Sequence, residues 1–137
     1  MKYLLFSLFA IPWAFLGLYG DIALHTVWLY IPAVLVPVSI GWYWGKRGVV
    51  PIALAGNLLT ALSSFLFTLC FRTDRWNAYF KPFGGIGMLA ILWLIPMLVQ
   101  ILIWRRYRKD KLTEILLWIT AVLILCWPNL CMFLALV

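Results

Sequence analysis

Charged residues are scarce in this chain of 137 residues: they make up 11% of it, whereas 66% of the residues are hydrophobic. A typical soluble domain has roughly a quarter charged residues and less than half apolar ones. Too few polar side chains are therefore present to cover the surface of a soluble fold. The composition excludes a soluble enzyme, a disordered chain and an exposed nucleic-acid-binding domain. It predicts an integral membrane protein with a single domain, 1–137.

Residues that bind metals or carry out catalysis are equally few. The chain has one histidine and three cysteines, Cys70, Cys126 and Cys131, and the cysteines show no CxxC spacing. A structural zinc site needs four ligands, and c-type haem attachment needs CxxCH. HExxH, GxSxG and P-loop motifs do not occur in the sequence. We therefore expect no metal, no cofactor and no catalytic centre.

Long apolar runs, by contrast, fill the sequence. A transmembrane helix needs about 20 apolar residues. The first run starts after a single lysine, as a signal peptide does, but Gly17-Leu18-Tyr19-Gly20 is a poor match to a cleavage site. We therefore predict an all-α bundle of five transmembrane helices, with short connections that make neighbours antiparallel. The predicted helices are about 3–19, 22–44, 49–71, 83–104 and 112–136.

The basic residues predict the orientation of this bundle. The N-terminus and the second and fourth connections together carry eight lysines and arginines, whereas the opposite side carries three. Cytoplasmic connections of membrane proteins are enriched in basic residues. The N-terminus is therefore expected in the cytoplasm, the C-terminus outside, and the protein in the plasma membrane as a multi-pass protein. The net charge of +7 needs no nucleic acid to explain it.

The third apolar run has a polar stripe. Asn57, Thr60, Ser64 and Thr68 recur at spacings of three and four residues and fall within roughly 80° of one another on a helix. Such a stripe is typical of helix packing through small residues and interhelical hydrogen bonds, and it also suits the lining of a ligand site. The cost of polar groups in lipid predicts that this face points inward and that its helix is the most enclosed one. Gln100 in the fourth run is expected to bond to a neighbouring helix.

A second group of candidates lies near the outer ends of the helices. We predict that Asp21, His25, Arg72, Arg75 and Lys81 form the mouth of a pocket open to the outside, above the polar stripe. Three cations would favour an anionic or amphipathic ligand. Asp21 beside a helix N-terminus is also explained by the helix dipole.

Prolines are expected to shape this predicted pocket. Pro32, Pro96 and Pro128 lie within predicted helices, where each would bend its helix and splay the bundle.

Three functions remain open from the sequence alone. The first is a membrane protein without a catalytic centre that binds a small amphipathic or apolar ligand, or that serves as the membrane subunit of a transporter or another membrane complex. The second is a homo-oligomeric channel or secondary transporter. A lipid-modifying enzyme is the third and least favoured. The candidate ligand-binding residues are Asp21, His25, Asn57, Thr60, Ser64, Thr68, Arg72, Arg75 and Lys81. The expected partners are the lipid bilayer, a small amphipathic or anionic ligand, and a membrane protein or a second copy of the chain.

Overall fold

A computed structural model describes residues 2–71 and 74–136, and these residues are all-helical, with no strand among them. One short 3-10 turn, Leu8–Ala10, follows the first helix. The described residues form seven α-helices: α1 (Lys2–Ser7), α2 (Trp13–Leu24), α3 (Tyr30–Lys46), α4 (Val50–Phe71), α5 (Asp74–Tyr79), α6 (Gly84–Tyr107) and α7 (Lys111–Leu136).

The first predicted helix, 3–19, is broken in the structure. Its two parts, Tyr3–Ala10 and Trp13–Leu24, meet at a bend of 44°. Pro12 causes the break because it has no N–H to donate to a carbonyl of the preceding turn. The N–H of Trp13 instead bonds to the carbonyl of Ile11, at 2.8 Å. The run predicted as the first helix therefore forms two helical pieces that meet at Pro12.

The gap at 20–21 between the first two predicted helices, 3–19 and 22–44, was wrong. Helix α2 continues through both residues and ends at Leu24, where His25 takes a left-handed conformation with φ of 49°. Gly20 serves close packing, since a Cβ there would crowd the Leu29 side chain. Asp21 thus lies near the C-terminus of a helix, where the dipole does not favour a carboxylate. This corrects the predicted dipole role.

The later helices follow the predicted runs more closely. α4, α6 and α7 begin within one residue of the predicted positions, and only α6 runs on by three residues. Pro32 lies in the first turn of α3, where a missing N–H costs little, so it does not bend that helix as predicted. The short helix α5 was not predicted. It is held by Trp76, which is buried and stacks on Phe15 with ring centroids 5.8 Å apart.

Helix α6 is the centre of the bundle and packs against α2, α3, α4, α5 and α7. In its most apolar stretch 44% of the residues are buried, against 33% in α4 and 11% in α7. The prediction that α4 is the most enclosed helix was therefore wrong. α6 takes this place because three buried glycine contacts, at Gly41, Gly45 and Gly87, let it approach α3 and α7 closely.

Among the described residues, three helices are long and apolar enough to cross a membrane: α4, α6 and α7. The bent pair formed by α1 with its 3-10 turn and α2 gives a fourth span if it is counted as one. These helices support a membrane protein.

Candidate functional site

The polar stripe of α4 faces the interior of the bundle. Asn57, Thr60, Ser64 and Thr68 are all buried, with at most 3% of their surface exposed. The predicted inward orientation of this face is therefore confirmed. The four side chains nevertheless differ in what they contact.

Asn57 forms a reciprocal amide pair with Gln100 of α6. The Asn57 Nδ2 donates to Gln100 Oε1 at 2.8 Å, and Gln100 Nε2 donates back to Asn57 Oδ1 at 3.0 Å. Gln100 also lies directly against Gly41 of α3, where a Cβ would overlap its side chain. The pair thus joins α4 to α6 next to Gly41 of α3. It also bears out the expectation that Gln100 bonds to a neighbouring helix.

Thr60 bonds to a carbonyl that the break at Pro12 sets free. In a continuous helix the Phe9 carbonyl would accept from the N–H of Trp13, which here bonds to Ile11. The Thr60 hydroxyl donates to the Phe9 carbonyl instead, at 2.6 Å. In an apolar environment such a freed group needs a partner, and neighbouring side chains provide it. We use the name packed level of α4 for Asn57 and Thr60 together with their partners, the Gln100 side chain and the Phe9 carbonyl.

Ser64 lies one turn further along and has no such partner. Its backbone carbonyl accepts from the Thr68 hydroxyl at 2.8 Å, so Thr68 is satisfied within its own helix. The Ser64 hydroxyl is buried, with no hydrogen-bond partner among the described residues. A buried hydroxyl without a partner costs about 1–3 kcal/mol, so its presence needs a reason.

A half-open cavity of about 170 Å³ lies between α4 and α6 at this position. Its lining is apolar apart from Ser64, and it carries no charged side chain; it consists of Ala61, Ser64, Phe65, Ile86, Leu89, Ala90 and Trp93. We call Ser64 and this space the Ser64 cavity. By contrast, the void at the packed level, between Asn57, Thr60 and Trp93, measures only about 10 Å³, which is about the size of one water.

Trp93 separates the two levels, since it lines both the small void and the Ser64 cavity. Its indole N–H donates to the backbone carbonyl of Asn57 at 2.9 Å. This hydrogen bond fixes the ring as the floor of the Ser64 cavity.

The outer candidate residues are only partly brought together. The carboxylate of Asp21 accepts from the hydroxyl of Tyr30 at 2.8 Å and from that of Tyr79 on α5 at 2.9 Å. The hydrogen bond to Asp21 raises the pKa of Tyr79 above its usual value. His25, Arg75 and Lys81 are exposed.

Arg72 lies outside the described residues. The cavities at the packed level and at Ser64 are lined by none of the outer candidates. The outward mouth therefore stays a prediction.

The other reactive side chains stand apart from these cavities. Cys70, Cys126 and Cys131 are free thiols, and only Cys131 is buried, against Gly87. Within residues 2–71 and 74–136 no three His, Cys, Asp or Glu side chains come together as metal ligands do.

Sequence reasoning missed two contributors to the site, Phe9 and Trp93. A signal for Phe9 was present, because a proline at position 12 frees carbonyls in the turn before it. No comparable signal exists for Trp93, because an indole at a helix face is equally compatible with lipid contact and with a buried hydrogen bond.

No protein-family model, curated protein or solved structure matches this chain.

Proposed function

We propose that this protein is a five-span protein of the plasma membrane, with a cytoplasmic N-terminus and an external C-terminus, which binds a small amphipathic ligand in the Ser64 cavity. No catalytic centre is part of this proposal. The observation that carries it is the Ser64 hydroxyl, which is buried, has no hydrogen-bond partner in the described part of the chain and lies beside an apolar space of about 170 Å³.

The contacts between connections support the sidedness. The guanidinium of Arg108 donates to the Gly48 carbonyl at 2.8 Å, so the two basic connections lie at one end of the bundle. Tyr3 of α1 shares a groove with Val49, which brings the N-terminal helix to the same end. Eight of the eleven basic residues thus belong to segments at this end. Such an excess favours the cytoplasmic side.

The five spans are supported by helix length. α3 has 17 residues, which at 1.5 Å per residue reaches about 25 Å and is the lower limit for a span. The bent pair α1–α2 supplies the remaining span, and its broken backbone is satisfied internally by Thr60 and Trp13.

The lining of the Ser64 cavity favours one class of ligand. A serine hydroxyl both donates and accepts, so it suits a hydroxyl or carbonyl group. No charged side chain lines the space, which favours a neutral ligand over an anionic one. At about 170 Å³ the cavity is smaller than typical drug-sized sites of about 300–1,000 Å³. The ligand is therefore a small alcohol or ketone, or one end of a longer lipid-like molecule.

A photoactivatable long-chain alcohol tests this function. The probe should label peptides of α4 and α6 around Ser64 in the purified protein. Ser64→Ala should raise its half-saturating concentration about fivefold, the equivalent of one hydrogen bond of about 1 kcal/mol. Ala90→Phe should abolish labelling because its ring occupies the cavity.

Ser63→Ala is the matched control. Ser63 precedes Ser64 in the chain, but its hydroxyl already donates to the Thr60 carbonyl at 3.0 Å. Its removal should leave labelling unchanged. Equal labelling of the wild type, Ser64→Ala and Ala90→Phe would refute ligand binding at this cavity.

One observation favours a second function, that of a subunit in a membrane complex. α7 packs mainly against α6 and leaves most of its apolar surface exposed, including Trp118 and Leu125 at 71% each. Disulfide trapping with Trp118→Cys in native membranes tests whether a protein covers this face. A cross-linked product supports the subunit function, and only monomer at every oxidant concentration contradicts it.

A further inference from the structure

A second and larger cavity lies at the basic end of the bundle. It is a groove of about 700 Å³ between α1, the last turn of α3 and the first turns of α4. Its walls are apolar and include Phe6, Trp44 and Ile52. This volume falls within the range of small-molecule sites. The Ser64 cavity shares no lining residue with it.

Trp44 is unusual among the tryptophans of the bundle. The indole N–H groups of Trp13, Trp93, Trp104 and Trp127 each donate to a backbone carbonyl, at 2.8–3.0 Å. Trp44 lines the groove and is 6% exposed, yet its buried Nε1 has no partner in the described part of the chain.

An indole N–H can only donate a hydrogen bond. Leaving it unpaired in an apolar setting is costly. Because Trp44 lines the groove, a molecule bound there that carries an acceptor would supply the missing partner.

Two cations, Lys46 and Arg47, lie two and three residues after Trp44 in the chain. Lys46 Nζ lies 5.6 Å from the Trp42 ring, and the Arg47 guanidinium lies 4.4 Å from the Tyr43 ring. Both side chains are exposed, and neither pairs with a carboxylate within residues 2–71 and 74–136. Basic residues at the end of a membrane helix attract anionic lipid headgroups.

We propose that this groove binds a glycerophospholipid with an anionic headgroup. One acyl chain fills the apolar groove, an ester carbonyl accepts the Trp44 N–H, and the headgroup pairs with Lys46 and Arg47. These three groups occur together, in this order from tail to head, in a phospholipid. The proposal is independent of the ligand in the Ser64 cavity.

Native mass spectrometry in mixed micelles tests the proposal with two probes, phosphatidylglycerol and phosphatidylcholine with identical acyl chains. The wild type should retain phosphatidylglycerol preferentially. Trp44→Phe keeps the ring but removes the donor, and it should weaken binding of both lipids about fivefold, as expected for one hydrogen bond. The double variant Lys46→Gln/Arg47→Gln should abolish the preference between headgroups.

Trp42→Phe and Ser64→Ala are the controls. Trp42 is exposed and bonds to the Tyr107 hydroxyl rather than lining the groove. Neither control should change lipid retention, whereas Ser64→Ala alone should weaken the alcohol probe. Equal retention of the two lipids by the wild type would overturn the proposal, as would unchanged retention by Trp44→Phe. Should Trp44→Phe fail to fold, loss of the preference in the lysine–arginine double variant supports the proposal, and its persistence overturns it.

Discussion

The packed level and the Ser64 cavity lie one helical turn apart on the same face of α4, yet they satisfy their polar groups in opposite ways. Asn57 and Thr60 bond to other elements of the bundle, and the void beside them holds about 10 Å³. The Ser64 hydroxyl has no hydrogen-bond partner within residues 2–71 and 74–136, and the space beside it measures about 170 Å³.

The same periodic stripe therefore serves two purposes. A polar residue on an inward face stabilises the bundle only where the neighbouring helix offers a partner at the right height. Where the neighbour offers only apolar groups and space, the polar residue costs stability. Such a residue is a candidate for binding, because natural proteins often lose stability at functional sites.

The packed level should be broken most severely by Gly41→Ala. A Cβ at this position would overlap the Gln100 side chain and push it out of the amide pair. Overpacking costs about 1–3 kcal/mol, and the lost pairing adds to it. We expect a loss of about 3 kcal/mol in the free energy of unfolding, measured by denaturant titration in detergent.

Gly85→Ala is the control for this substitution. A Cβ at Gly85 would make only ordinary contacts, the nearest at 3.5 Å. Its stability should match or exceed that of the wild type, because alanine favours a helix over glycine. Equal losses for the two variants would contradict a steric effect on the amide pair.

Asn57→Leu should also destabilise the packed level. It leaves the Gln100 amide buried without its partner, which costs about 1–2 kcal/mol in a membrane protein. Adding Gln100→Leu should recover part of this loss, since both amides are then replaced. Unfolding of the single and double variants in one detergent measures the coupling.

Asn129→Leu is the matched control. Asn129 is exposed on α7, and its amide bonds only to the Leu125 carbonyl of its own helix. Its replacement should change stability by less than about 0.5 kcal/mol. A loss equal to that of Asn57→Leu would show that interhelical pairing is not the cause.

Larger side chains at the Ser64 cavity and at the packed level test whether these two regions differ in packing. Ala90→Leu places its side chain in the Ser64 cavity and should stabilise the protein by up to about 1 kcal/mol. Ala53→Leu makes the same change beside the packed level, where Ala53 is fully buried, and should destabilise it by about 1–3 kcal/mol. Thermal unfolding of both variants compares them. Equal losses of stability in the two variants would mean that the Ser64 cavity cannot accommodate a larger side chain.

The smallest effect on stability is expected at the contact between Asp21 and the exposed Tyr79, at the end of the bundle. Hydrogen bonding to Asp21 raises the pKa of Tyr79, so this contact contributes fully below the usual tyrosine pKa of about 10. The contribution is lost as the pH rises through the higher pKa of the folded state. Phenolate absorbance should show Tyr79 titrating at lower pH in Asp21→Asn than in the wild type, with Tyr79→Phe isolating its signal. An unchanged midpoint would contradict the contact.

The sequence predicted the direction of the α4 stripe because a period of 3.6 residues places Asn57 and Ser64 on one face. It also predicted an interhelical bond for Gln100, since an amide in lipid is costly. It did not predict which helix Gln100 joins, because that depends on the close approach at Gly41.

The sequence alone could not distinguish the packing role of Thr60 from the different environment of Ser64. Both are hydroxyl residues on one face, and their difference arises from what lies opposite. The freed Phe9 carbonyl faces Thr60, whereas the Ser64 cavity lies beside Ser64. The end of α2 was misplaced for a related reason, because Gly20 appears as a turn signal in sequence but packs against Leu29 in the structure.

The central claim is tested most directly by the sign of the stability change in Ser64→Ala. Removing a buried hydroxyl that has no partner should raise the free energy of unfolding by about 1 kcal/mol in ligand-free protein. The Ser63→Ala control, which breaks a bond within α4, should leave it unchanged or slightly lower. A gain in stability for Ser64→Ala is the result that our account predicts. A loss comparable to that of Asn57→Leu would show that Ser64 is a packing residue like Asn57, and would contradict the account.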